Sequence, residues 1–137
     1  MADQVFTDEE KAAMRERARE AREFKKLSGE EQVQRKIAEM DAHDQKLAQR
    51  IHELVLGVSD KITTRTWYGM PAYYVNDKVI CFYQSASKFK VRYSTFGFQE
   101  AANLDDGTFW PTSYALTELS PAVEAQIVSL VKQAITV

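Results

Sequence analysis

The sequence predicts an α+β fold: an antiparallel β-sheet packed by an N-terminal and a C-terminal helix, with an extra helix in front. Three observations predict it. Apolar residues recur at three- and four-residue spacings before Gly57 and again after Ser120, the period of a helix with one buried face. The region between them is broken by tight-turn residues and alternates as half-buried strands do. Aromatic residues are also segregated, with only Phe6 and Phe24 preceding Trp67.

The chain of 137 residues suits one domain with its own core. Hydrophobic residues make up 45% and charged residues 28%, the balance of a globular rather than a disordered protein. A net charge of -2 argues against bulk attraction to nucleic acid or an anionic membrane. The charge is uneven. Residues 1–60 hold 11 lysines and arginines against 14 acids, and residues 61–137 hold 7 against 6. Cys81 is the single cysteine, so no disulfide framework or cysteine-rich zinc site is expected. A reducing, cytoplasmic setting fits. A densely charged N-terminus and the lack of a long apolar run predict neither signal peptide nor membrane span.

Residues 1–28 read as a charged helical extension and residues 29–137 as the α+β domain. Thr7-Asp8-Glu9-Glu10 is a capping box, opening a helix to about Leu27 whose apolar face is weak. Ser28 and Glu31 form a second box. The helix after it is expected to run unbroken to Gly57, with Val33, Ile37, Met40, Leu47, Ile51 and Leu54 as its stripe and Asp44 in the one polar slot. Thr63 to Trp67 reads as the first strand. Gly69-Met70-Pro71 breaks the chain, because proline lacks a donor and biases the residue before it toward extended structure. Ala72 to Val75 and Val79 to Tyr83 read as strands joined at Asn76-Asp77, residues that tolerate the left-handed conformation of a two-residue hairpin. Phe89, Val91 and Tyr93 alternate with Lys88, Lys90 and Arg92, predicting a strand with an apolar inner face and a basic outer one. Ser94 to Gln99 stays β-like, Asn103 to Gly107 is a turn, and Tyr114 to Thr117 is the last strand. Ser120-Pro121 opens the final helix.

No phosphate loop, nucleophile elbow, zinc spacing or EF-hand loop is present. His43, Asp44 and His52 read as structural or solvated, and Cys81 as a buried, inert thiol. The outward row Lys88, Lys90 and Arg92 is the strongest candidate site. Arg65 joins it, with Tyr68, Tyr83 or Trp110 as lining. Arginine beside aromatics suits a carboxylate, a phosphate or an acidic protein segment. The wet outer face of an antiparallel sheet is the structural alternative.

Trp67-Tyr68-Gly69-Met70-Pro71-Ala72-Tyr73, Val79-Ile80-Cys81-Phe82, Lys88-Phe89-Lys90 with Arg92-Tyr93, Gly97-Phe98, and Leu104-Asp105-Asp106-Gly107 through Trp110-Pro111-Thr112 form an ordered set of short motifs. Over residues 29–137 this set resembles the YdhG-like domain-of-unknown-function family. The resemblance implies a soluble bacterial protein of frataxin-like fold and supplies no catalytic residues. One branch of the family is linked to an iron-chaperone role, which would use helix carboxylates. The corresponding helix here offers Glu30, Glu31, Glu39, Asp41, Asp44 and Glu53, interleaved with Arg35, Lys36, Lys46 and Arg50. The sequence reading is thus a non-enzymatic module binding an anionic ligand or acidic protein segment at Lys88, Lys90, Arg92, Arg65, Tyr68 and Trp110. The alternative is an intracellular iron-binding chaperone.

Overall fold

In the computed structural model, which describes residues 5–136, Thr7 caps the first helix, α1 (Asp8–Lys26). Its hydroxyl oxygen accepts from the Glu10 N–H at 3.0 Å, while the Glu10 carboxylate accepts from the Thr7 hydroxyl rather than from a backbone N–H. None of α1 is buried. Phe24 anchors its end: the Lys36 ammonium lies over the ring, and the Gln32 amide reaches the Phe24 and Leu27 carbonyls.

Ser28 closes a complete capping box with Glu31 and starts α2 (Gly29–Ala38). The long helix expected next is two helices. Asp41 accepts from the Asp44 N–H at 2.8 Å and starts α3 (Ala42–Leu56). A carboxylate three residues before its backbone donor terminates one helix and begins another, and this local signal overrides the continuous apolar stripe. The stripe survives as two pieces, and Val55 is buried where Leu54 is only half-buried.

The sheet is a meander of five antiparallel strands in chain order: β1 (Thr63–Trp67), β2 (Met70–Val75), β3 (Lys78–Gln84), β4 (Ser94–Phe98) and β5 (Ser113–Leu116). Asn76 and Asp77 take φ of 50° and 62°, the paired left-handed residues of a type I′ turn. A bulge between Tyr73 and Tyr74 shifts the β2–β3 register. The predicted strand over 88–93 does not form. Residues 86–89 are a short helix, α4 (Ala86–Phe89), Lys90 is left-handed at φ 54°, and β4 begins only at Ser94. The last helix, α5 (Pro121–Ala134), has Ser120 as its cap and proline at its start, as expected.

Register defines the two faces. Tyr73 lies opposite Cys81, and Tyr83 opposite Phe96. These side chains join Val33, Ile51 and Val131 in the main core beneath α2, α3 and α5. Arg65, Ala72, Phe82 and Gly97 form a cross-strand row on the opposite face. That face carries a small cluster of Met70, Ala72, Tyr74 and Phe82, edged by Trp67 and Val79. No helix of the described residues is long and apolar enough to cross a membrane.

The first turn of α2 lies against β1, so closely that a Cβ on Gly29 would stand 1.9 Å from the Thr64 carbonyl oxygen. Backbone meets backbone there, and neither side can swing away. Gly29→Ala should therefore cost about 2 kcal/mol or more of unfolding free energy by overpacking. Chemical denaturation of the variant measures it; a parental midpoint would mean that α2 does not sit this close to the sheet.

Candidate functional site

One end of the sheet gathers most of the predicted site. The β1–β2 turn, the 85–93 connection and the C-terminal end of β5 all lie there, since Trp67 faces Met70, Gln84 faces Thr95 and Ser94 faces Leu116. Tyr68 lies in the turn between the first two strands of this rim, and Arg92 immediately before β4.

Tyr68 and Gly69 form the β1–β2 turn with φ of 51° and 75°. Glycine adopts this conformation freely, but an aromatic residue there is strained by about 1–2 kcal/mol. Tyr68 is nevertheless 81% exposed. Its ring stands edge-on to Trp67 at 4.8 Å, and Trp67 in turn leans on Phe82. Phe82 needs Gly97 below it, because a Cβ there would lie 2.4 Å from the ring.

The connection between β3 and β4 owes its shape to a buried acid. Asp44 on α3 is 3% exposed. Its carboxylate accepts from the Ser85 hydroxyl at 2.5 Å and from the Ser87 N–H at 2.9 Å. Ser85 also caps α4 by accepting from the Lys88 N–H. At the other end of the connection, the Ser94 hydroxyl oxygen accepts from the Ala86 N–H and is bonded to the Tyr83 hydroxyl at 2.8 Å. Segment 85–88 is thus held as a helical turn against α3. The alternation that predicted a strand instead places Phe89, Val91 and Tyr93 in solvent, at 44%, 49% and 37% exposure.

The basic residues follow from this geometry. Lys88 turns toward the α2 end and pairs with Glu39. The hydrogen bond from Lys88, aided by the charge of Lys36, holds the Glu39 carboxyl below its ordinary range against the opposing effect of burial. Lys90 and Arg92 make no ion pair among the described residues, and the Arg92 guanidinium lies over the Tyr93 ring at 5.1 Å. Arg65 is on the outer face, stacked over Tyr74 at 4.3 Å. Trp110 is half-buried against the main core at the other end of the sheet. The six predicted site residues are therefore not one strand face. Tyr68, Lys88, Lys90 and Arg92 share a rim, Arg65 stands behind it, and Trp110 is remote.

Other polar groups are structural. His52, 4% exposed, donates from Nε2 to the Glu30 carboxylate at 2.6 Å, and its Nδ1 meets the Tyr73 hydroxyl at 2.9 Å. Burial raises the Tyr73, Tyr83 and Cys81 groups well above their ordinary values, so none is a ready nucleophile at neutral pH. His43 reaches the Thr117 carbonyl at 2.8 Å. The six helix acids are already engaged: Glu30 with His52, Glu31 and Asp41 in caps, Glu39 with Lys88, Asp44 with Ser85, and Glu53 with Arg50. No group of three or more histidine, cysteine or acidic side chains among the described residues could hold a metal ion. No family model, curated protein or solved structure matches the chain.

Burial alone would raise the Asp44 carboxyl, but the Ser85 hydroxyl, the Ser87 N–H and hydroxyl, and the charge of His43 outweigh it and hold the group below its ordinary value. Its stabilising contribution is then complete above the ordinary aspartate range and is lost as pH falls through the depressed value. Asp44→Ala should cost about 2–3 kcal/mol at neutral pH, because it orphans buried donors, and less in strong acid. Denaturant titrations at both pH values check this; an equal cost at both would show that the charge is not what holds the segment.

Proposed function

We propose that this chain is a non-enzymatic binding module of the YdhG-like, frataxin-like type, which takes an acidic protein segment along the rim of Tyr68, Phe89, Lys90, Val91, Arg92 and Tyr93. The rim's exposed side chains are aromatic, aliphatic and cationic, with no histidine or cysteine among them. Such a surface binds by apolar contact and charge rather than by proton transfer. Arginine backed by an aromatic ring offers a carboxylate two parallel donors in a fixed plane. Lys90 and Arg92 are charges without an ion-pair partner among the described residues, whereas Lys88 is neutralised by Glu39. A bacterial, cytoplasmic setting accords with this reading.

The observation that carries the proposal is Tyr68. An 81% exposed aromatic in a left-handed turn is strained, and its ring meets only the edge of Trp67. Asparagine is the favoured residue before glycine in this turn. A strained and largely exposed tyrosine is accounted for by contact with a partner.

Titration of the labelled protein with an oligoglutamate peptide, followed by amide NMR, should move the resonances of residue 68 and of residues 89–93. Lys90→Glu with Arg92→Glu should abolish those shifts without changing the melting temperature. Tyr68→Asn should raise stability by about 1 kcal/mol through relief of the turn and weaken binding. Shifts elsewhere, unchanged binding by the folded double variant, or a Tyr68→Asn variant no more stable than the parent would each count against the reading.

A further inference from the structure

A second surface lies on the far side of the molecule's helical layer. Helix α5 is the least charged helix of the chain. In its 14 residues only Glu124 and Lys132 are ionisable, and only Ile127, Val131 and Ala134 are buried. Its opposite face presents Pro121, Ala125, Val128 and Ser129, which line a shallow groove with Leu54 of α3. By contrast, α1 is studded with charge along its length. Small side chains at 125 and 129 would let another helix approach to the short end of normal interaxial distances, about 8 Å.

The charges on this face are arranged symmetrically. Glu124 and Lys132 lie four residues to either side of Val128, about 6 Å along the axis in each direction. Glu124 is not neutralised alone: Arg50 bridges it at 2.8 Å and Glu53 at 3.0 Å. One guanidinium thus serves two carboxylates and leaves a net negative charge. Lys132 makes no ion pair among the described residues.

We propose that this face docks a second copy of the chain, α5 against α5 in antiparallel orientation about a two-fold axis near Val128. That axis brings each Lys132 level with the Arg50–Glu53–Glu124 cluster of the other copy, so the same unbalanced pair of charges is satisfied twice. Such self-complementarity is what an isologous interface requires. A parallel arrangement would oppose like charges, and an unrelated helix would have no reason to match the spacing.

Sedimentation equilibrium on the full chain tests this across the micromolar range. A reversible monomer–dimer equilibrium is expected. Val128→Arg, at the centre of the contact, should abolish it. Lys132→Glu, at an exposed position, should raise the dimer Kd about tenfold or more by turning two attractions into two repulsions, and added salt should weaken the parental dimer. Thermal unfolding shows whether each variant is folded, and Lys132→Glu decides the matter if Val128→Arg is not. A monomer at every concentration, or a dimer indifferent to Lys132→Glu and to salt, overturns the proposal.

Discussion

A buried carboxylate on α3 sets the shape of one whole end of this molecule. Removing an ion from water costs several kcal/mol unless its lone pairs are satisfied. Asp44 recovers that cost from a hydroxyl and a backbone N–H on the segment after β3. The segment in return is folded into a helical turn that its own alternating pattern would not choose. Because the turn is tied to α3, the next three residues emerge on the rim rather than in a ladder. The position of Lys90 and Arg92, and the exposure of Phe89, Val91 and Tyr93, follow from one side chain on α3, with three strands between them in the chain.

The rest of the fold is built to tolerate what the rim lacks in stability. Tyr73 and Tyr83 are fully buried yet polar, and each has its hydroxyl bonded, to His52 and to Ser94. No buried side-chain polar atom among the described residues lacks a partner, so the core carries no penalty of that kind. On the outer face, Arg65 over Tyr74 and Trp67 beside Phe82 shield apolar surface without a covering helix. Against this background the fold tolerates a strained tyrosine at a hairpin tip.

Much of this was legible in the residues, and the failures have local causes. The strand over 63–67, the Asn76-Asp77 hairpin and the Ser120-Pro121 helix start were readable because each depends on chemistry within a few residues. The helix break at Asp41 was equally local; its cap three residues before Asp44 was obscured by a stripe that ran through it. The segment over 88–93 could not be read from its own pattern. Its period-two alternation is real, but the tie from Asp44 crosses 41 residues of sequence to reach Ser85. A polar residue in an apolar stripe was the visible clue, and its partner was not. For the site, residue type survived and arrangement did not. The basic residues lie on the surface as expected, but on a rim, with Arg65 behind it and Trp110 at the other end. The alternation places Phe89, Val91 and Tyr93 in the core, whereas the fold exposes them.

The most direct measurement is the backbone chemical shifts and three-bond amide couplings of residues 85–94 in the parent protein and in Asp44→Asn. The account predicts helical shifts over 86–89 and a left-handed signature at Lys90 in the parent, both diminished in the variant while the strands keep theirs. Extended values running through 88–93 in the parent would contradict it. They would restore a continuous strand and place Phe89, Val91 and Tyr93 back in the core.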